Sequence, residues 1–114
     1  MMAHRKDTLF ESSARELASL AKSLSHPARM AILLKLASAK GCSCADFVAE
    51  IPLAQATVSQ HLAVLVNSNL VILTQQGSMS CYSVNVEKVG RLSKIIQDFL
   101  SRMKDGVHRK ECCR

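Results

Sequence analysis

The amino-acid sequence predicts a mainly α-helical domain that carries one small β-hairpin. Several segments repeat apolar residues at intervals of three and four, which is the spacing of one face of a helix. After residue 69 the pattern changes to a short apolar run, a polar tip with a glycine and an alternating run, which is typical of two paired strands. The chain has 114 residues and is 48% hydrophobic, enough for a single domain with a modest core.

The first two predicted helices lie in the N-terminal third of the chain. The first covers residues 8–23, and its apolar residues form a narrow stripe at intervals of 4, 3, 4 and 3: Phe10, Ala14, Leu17, Ala21 and Leu24. Such a stripe favours packing along another helix. The second helix begins after Ser25, a residue that can cap a helix N-terminus, and has Pro27 in its first turn, where no N–H is needed. Gly41 ends it.

The third and fourth predicted helices are joined by a tight turn. The third covers residues 45–51 and ends at Pro52, because proline cannot continue a helix. The fourth covers residues 55–68 and is expected to bury one stripe: Val58, Leu62 and Leu65. Its other face carries small and amide side chains, which allow close approach to a DNA major groove and can bond to base edges. The pair is therefore predicted to be a helix-turn-helix that binds double-stranded DNA.

The predicted hairpin follows the fourth helix directly, which is the arrangement of a winged helix-turn-helix. Its strands cover residues 70–74 and 81–85, and a polar tip separates them. We expect both the helix and the tip to contact an operator. The predicted DNA-binding residues are Gln55, Ala56, Thr57, Ser59, Gln60, Gln75, Gln76 and Ser78.

The last predicted helix covers residues 86–104 and carries a second narrow apolar seam. Seams on the first and last helices predict a homodimer through these two helices, which would present two recognition helices to half-sites about one DNA turn apart. The alternative is that both seams fill the core of a single protomer. The predicted dimer residues are Phe10, Leu17, Leu92, Ile96, Phe99 and Met103.

The predicted domain organisation has three parts. A flexible basic arm covers residues 1–7, the winged-helix domain covers residues 8–104, and a mobile, cysteine-containing tail covers residues 105–114. No apolar run approaches the roughly 18 residues of a membrane span, and the basic N-terminus lacks the apolar stretch of a secretory signal. We therefore expect a cytoplasmic protein with reduced cysteines and no membrane partner.

Four stretches carry a resemblance to the ArsR/SmtB family of winged-helix repressors: residues 24–33, 53–62, 69–71 and 82–85. The resemblance extends over residues 8–104. It implies a dimeric repressor that leaves its DNA operator when an inducer binds, such as arsenite, another thiophilic metal or a persulfide. It also implies that the protein is not an enzyme and has no obligatory cofactor.

The distribution of charge departs from that family pattern. The net charge of +6 favours an anionic partner, but residues 41–87 contain no lysine or arginine. Phosphate contacts are then expected from backbone N–H groups, hydroxyls, amides or more distant cations such as Lys35 and Lys40. This predicts a shallow salt dependence of DNA binding. The alternative is a winged-helix interaction module with weak or no DNA binding.

Five cysteines in a short chain without a secretory signal indicate soft-metal or redox chemistry. Cys42 and Cys44 form a Cys-x-Cys pair at the start of the third helix, shifted by one residue from the arsenic-sensing pair of the family. Cys112 and Cys113 have cationic neighbours that favour the thiolate. These four are the predicted ligands of an inducing ion such as As(III), with Cys81 as a further candidate. The alternative is a redox or persulfide sensor that pairs its cysteines.

Overall fold

The computed structural model describes residues 10–39, 43–44 and 50–109. Within this part of the chain, the predicted fold class is confirmed: helices dominate, and one hairpin follows the helix at residue 55. The helices are α1 (Ser12–Leu24), α2 (Pro27–Ser38), α3 (Gln55–Asn67) and α4 (Val86–Arg109). The strands are β1 (Ser43–Cys44), β2 (Val71–Gln76) and β3 (Met79–Val84). Most of the predicted third helix, residues 45–49, lies outside the described residues.

The junction between α1 and α2 differs from the prediction. His26, not Ser25, caps α2, because its Nδ1 accepts a hydrogen bond from the backbone N–H of Ala28 at 3.1 Å. The Ser25 hydroxyl instead donates to the carbonyl of Lys22 at 2.7 Å and so satisfies the end of α1. Pro27 occupies the first turn of α2, as predicted.

Helix boundaries also differ at the two ends of the described chain. α1 begins at Ser12, so Phe10 precedes the helix rather than lying in its first turn. α4 continues past Lys104 to Arg109, and the predicted boundary between domain and tail therefore falls inside a helix. None of the described helices is both long enough and apolar enough to cross a membrane.

The core lies where α1, α2, α3 and the sheet meet. Its largest fully buried side chains are Ile32, Leu36, Leu65, Leu70 and Val71. The predicted stripe of α3 (Val58, Leu62 and Leu65) is buried there, as expected from its helical spacing. Each fully buried side chain of this size contributes about 1.5–3 kcal/mol relative to its exposed state. The core therefore fixes which face of α3 points outward.

The three strands form one antiparallel sheet in the order β1-β3-β2. β2 and β3 are joined by a two-residue turn, in which Gly77 has a φ of 65°. Glycine adopts such a positive φ without a Cβ clash, and turns of this length suit the twist of a hairpin. The tip of the wing is therefore a tight turn.

β1 corrects the predicted position of the Cys-x-Cys pair. Ser43 and Cys44 were expected at the start of a helix, but they pair with Tyr82 and Cys81 in an extended conformation. The physical reason is that the outer edge of β3 offers backbone groups for a third strand.

α3 ends in a Schellman motif that turns the chain into β2. The backbone N–H of Leu70 donates to the carbonyl of Leu65 at 3.0 Å, and that of Asn69 donates to Val66 at 3.0 Å. Asn69 itself has a φ of 65°, a conformation that asparagine tolerates better than most residues.

Asn85 connects this turn to α4. Its side-chain amide donates to the carbonyl of Asn69 at 2.9 Å, and its backbone N–H donates to the carbonyl of Leu70 at 2.9 Å. Its Oδ1 accepts from the backbone N–H of Lys88 at 3.2 Å and caps α4. One side chain therefore links the end of α3 to the beginning of α4.

Two ion pairs join α1 and α4 at the surface. Arg91 donates two hydrogen bonds to Glu16, at 2.8 and 2.9 Å, and Arg102 lies 2.7 Å from Glu11. These hydrogen bonds lower the pKa values of both glutamates. The first and last helices are thereby held side by side.

Candidate nucleic-acid interface

The predicted DNA-binding residues of α3 form one outward surface. Gln55, Ala56, Ser59 and Gln60 are exposed, and Thr57 is half-buried. Their side chains are small or carry amide and hydroxyl groups, which suits close approach to base edges. The core packing of the opposite stripe places them there.

The N-terminus of α3 is open towards the same side. Ala54 is its N-cap residue and makes no side-chain capping bond, while the carbonyl of Ala54 accepts the first helical bond from Val58 at 3.0 Å. The first backbone N–H groups of a helix carry partial positive charge and suit phosphate oxygens. This arrangement can supply a phosphate contact without a basic side chain.

The turn between β2 and β3 forms the tip of the wing and carries exposed polar side chains. Gln75, Gln76 and Ser78 are exposed, and Gln75 accepts a hydrogen bond from the Ser80 hydroxyl at 3.4 Å. A groove of about 220 Å³ runs between α3 and the wing. Its lining is Ser59, Leu62, Ala63, Val66, Asn67, Leu73 and Tyr82. α3 and the wing tip therefore each present exposed polar side chains, while the groove between α3 and the strands of the wing has a mainly apolar lining.

Arg29 of α2 reaches α3 but directs its donors at other protein groups. Its Nε donates to Nδ1 of His61 at 3.2 Å, and its Nη1 donates to the carbonyls of Ser23 at 2.9 Å and Lys22 at 3.2 Å. This one guanidinium thus fastens α2 to the end of α1 and to α3. Sequence reasoning did not identify this contact, because the two residues lie 32 positions apart in the chain.

The surroundings of His61 lower its pKa. Burial is the largest cause, and electrostatic interactions with His26 and Arg29 lower the pKa further. The ring of His26 lies close, with centroids 4.4 Å apart and planes at 48°. A neutral Nδ1 is required to accept the hydrogen bond from Arg29.

The structure describes one of the two lysines that were predicted to contact phosphate. Lys35 lies 3.7 Å from Glu50 in an ion pair at the surface. Lys40 lies outside the described residues. Lys35 is therefore engaged within the protomer, and an exposed pair of this kind is weak enough to exchange.

The structure brings two of the five cysteines together. Cys44 in β1 stands opposite Cys81 in β3, and Cys81 is buried. Three of the predicted metal ligands, Cys42, Cys112 and Cys113, lie outside the part of the chain that the structure describes. Across the described ranges, no group of three or more His, Cys, Asp or Glu side chains is arranged to hold a metal ion.

The predicted dimer residues fall into three groups by burial. Leu92 is buried, and Leu17 and Ile96 pack against the protomer core, as in the alternative that the sequence left open. Phe10 and Met103 are exposed at 63% and 58%. Phe99 is half-buried and lies under the guanidinium of Arg102, which is 4.8 Å from the ring centroid.

α4 also exposes apolar residues that the sequence reasoning missed. Leu100 and Val107 are exposed at 48% and 76%, and together with Met103 they follow the 3 and 4 spacing of one helix face. The sequence reasoning ended this helix at residue 104, so Val107 lay beyond the predicted boundary and was not counted. We call Leu100, Met103 and Val107 the α4 seam.

The chain is similar to known regulators in sequence and in structure. Residues 24–74 match the helix-turn-helix domain family. The arsenical resistance operon repressor of Staphylococcus xylosus is 35% identical over 75 residues, which are 66% of this chain and 71% of the relative.

Two solved structures show the same fold. An ArsR-like transcriptional regulator from Rhodococcus has a TM-score of 0.73 at 20% identity and covers 86% of this chain and 92% of its own. A homodimeric winged helix-turn-helix domain from Mycobacterium bovis, a possible ArsR-family regulator, has a TM-score of 0.61 at 25% identity and covers 94% of each chain. The present chain belongs to the ArsR/SmtB family of winged helix-turn-helix proteins, and it is a transcriptional regulator rather than an enzyme.

Proposed function

We propose that this protein is a homodimeric repressor that binds an operator through α3 and the wing tip. The observation that carries the proposal is the exposed polar face of α3, which holds Gln55, Ser59 and Gln60 next to the open N-terminus of this helix. The turn between β2 and β3 adds further exposed polar side chains. Gln60 and Gln55 can donate to and accept from base edges, and the open N-terminus of α3 can bind a phosphate. The Staphylococcus relative, a repressor by name, supports the same role.

Dimerisation through the first and last helices is part of this proposal. The α4 seam leaves three apolar side chains exposed on one face of a helix that α1 does not cover. A second copy of the chain would remove this surface from water, and apolar burial is the main driving force of association. The Mycobacterium relative is homodimeric, which supports the same assembly.

The release step of the proposal uses thiol chemistry. The inducer is expected to be arsenite or another thiophilic metal, bound by Cys112 and Cys113 together with Cys42 or Cys44. Soft thiolates select such ions over calcium or magnesium. Ligation would shift the dimer towards a geometry with the wrong half-site spacing, because an inducer moves an equilibrium only through its different affinities for the two states.

Operator binding is tested with the full chain and the DNA upstream of its own gene, by fluorescence anisotropy at low salt. Replacing Gln60 with Ala is expected to weaken binding about 5- to 150-fold, since a good base contact contributes about 1–3 kcal/mol. Gln97→Ala is the matched control, because Gln97 lies on α4 and is exposed. Equal losses in both variants would contradict the assignment of α3 as the reading helix.

Induction is tested by adding arsenite to the preformed complex. The wild type should release DNA, and the Cys112→Ser/Cys113→Ser variant should retain it. Release that is unchanged in this variant would contradict the role of the tail cysteines.

Features of the wing support a second candidate function, that of a protein-interaction module. Ile72, Leu73 and Met79 are exposed apolar residues, and residues 41–87 lack lysine and arginine. Such a surface suits a protein partner as well as DNA. The anisotropy measurement separates the two functions: a chain without affinity for its upstream DNA at low salt is an interaction module.

A further inference from the structure

The hydrogen bonding of the wing fixes which edge each residue of β3 faces. The backbone N–H of Asn85 donates to the carbonyl of Leu70, so these two residues form a hydrogen-bonded pair. Hydrogen-bonded and non-hydrogen-bonded pairs alternate along an antiparallel ladder. Four positions further on, Cys81 and Thr74 are again a hydrogen-bonded pair. The backbone N–H and C=O of Cys81 therefore face β2.

Towards β1, Cys81 consequently occupies a non-hydrogen-bonded position, directly opposite Cys44. The two residues of such a pair lie on the same face of the sheet, with Cα atoms about 4.5 Å apart. Disulfides span Cα separations of about 4.4–6.8 Å. The register therefore places these two cysteines where a bond can form with little movement of the backbone.

We propose that Cys44 and Cys81 are a disulfide-forming pair, a modification site that joins β1 to the wing. The oxidant is a small-molecule disulfide. The thiolate of one of these cysteines attacks one sulfur of the oxidant and releases the first small thiolate. The thiolate of the other cysteine then attacks the protein sulfur of the mixed disulfide and releases the second small thiolate. The protein loses two protons and two electrons, and the oxidant becomes two thiols.

The disulfide would close a loop of chain that contains α3, the helix proposed to read DNA. Residues 44–81 include all of α3 and β2. Cross-linking the two ends of this segment restricts the movement of α3 relative to the wing. The regulatory consequence rests on the proposed repressor function: oxidation is expected to weaken operator binding about tenfold, within the usual range of coupling between sites.

The site is tested by treating the folded full chain with glutathione disulfide and mapping its peptides by mass spectrometry. A cross-linked peptide pair that contains Cys44 and Cys81 is expected in the wild type and in Cys42→Ala. The same peptide pair is expected to be absent from Cys81→Ala and from Cys44→Ala. The second of these variants changes only the edge strand and keeps the buried Cys81. Oxidation that leaves Cys81 as a thiol in the wild type would overturn the proposal.

Operator binding forms a separate arm of the experiment. Reduced wild type should bind upstream DNA, which tests the repressor function without reference to the disulfide. Oxidised wild type should bind it about tenfold more weakly, while Cys81→Ala should be unaffected by the oxidant. Cross-linked protein with unchanged affinity would overturn the regulatory consequence, and failure of the reduced protein to bind would overturn only the repressor function.

Discussion

The side-chain amide of Asn85 donates a hydrogen bond to the backbone carbonyl of Asn69, 2.9 Å away. The first residue belongs to the cap of α4, and the second to the turn that ends α3. α3, the proposed recognition helix, and α4, the helix of the proposed dimer interface, are therefore joined through two asparagines. Replacing either one tests how strongly this junction holds the domain together.

Asn85→Ala removes both the α4 cap and the bond to Asn69. We expect the free energy of unfolding to fall by about 1–2 kcal/mol, in line with the loss of an asparagine cap. Urea unfolding followed by circular dichroism measures the change. Asn85→Asp is the matched control, because it keeps the capping oxygen and loses the donor to Asn69. If Asp costs as much as Ala, the bond to Asn69 and not the cap carries the stability.

Asn69→Ala places a Cβ-bearing residue without a compensating side chain at a φ of 65°. We expect a loss of about 1 kcal/mol, since the left-handed region costs most L-residues about 1–2 kcal/mol. Asn69→Gly should retain near wild-type stability, because glycine has no such penalty. Two variants of equal stability in thermal unfolding would show that the left-handed conformation is not under strain.

The stability of the protein is expected to fall at mildly acid pH because of His61. Its pKa in the fold lies below the ordinary value of 6.5, so the unfolded chain takes up a proton first as the pH decreases. The stabilisation is complete above about pH 6.5 and is lost through the window between that value and the lower pKa of the folded state.

The measurement is the urea midpoint at several pH values between about 5 and 8, around the ordinary histidine pKa. His61→Gln should flatten the curve, because a Gln oxygen can still accept from Arg29 Nε without titrating. The other groups at this position are the Arg29 guanidinium, which donates to His61, and the ring of His26, which contacts it. A slope that persists unchanged in His61→Gln would assign the pH dependence to another group.

Gln76→Lys adds a cation at the wing tip, in the region without lysine or arginine. We expect the plot of log affinity against log salt to become steeper by about 0.9, the slope for one released counterion. Binding titrations of upstream DNA at several salt concentrations measure it. Ser101→Lys, at an exposed position on α4, serves as the control for added net charge. A steep slope in the wild type itself would contradict the proposed scarcity of ionic contacts.

Met103→Glu places a charge in the α4 seam. We expect the proposed dimer to dissociate at protein concentrations where the wild type is dimeric, because the buried carboxylate would lose its hydration. Sedimentation velocity reports the change in mass. Lys104→Glu makes a larger charge change, −2 against −1, at the neighbouring exposed position and should leave the assembly intact. A wild-type protein that sediments as a monomer would contradict the dimer.

The elements that rest on local pattern were predictable from the sequence. Val58, Leu62 and Leu65 define the buried face of α3 by spacing alone, and the exposed polar residues follow from it. The hairpin is equally local, since Gly77 and its neighbours determine the turn between two strands. These two elements contain every predicted DNA-binding residue.

The features that sequence reasoning missed depend on distant partners. β1 exists because Ser43 and Cys44 meet the free edge of β3, almost forty positions later in the chain. The bond between Arg29 and His61 likewise joins residues 32 positions apart. Neither contact produces a repeating pattern of residue types in the sequence. The cap at His26 was missed for a different reason, because histidine is not among the preferred capping residues.

The uncharged reading surface has a consequence for the search through a genome. Non-specific binding to DNA is driven almost entirely by ionic contacts with phosphates, and millions of random sites compete with one operator. The proposed reading surface, made by amides and hydroxyls of α3 and the wing tip, would offer random DNA few ionic contacts. A regulator that reads its operator in this way would spend less of its time on wrong sites, and a small number of molecules per cell would be enough to occupy the right one.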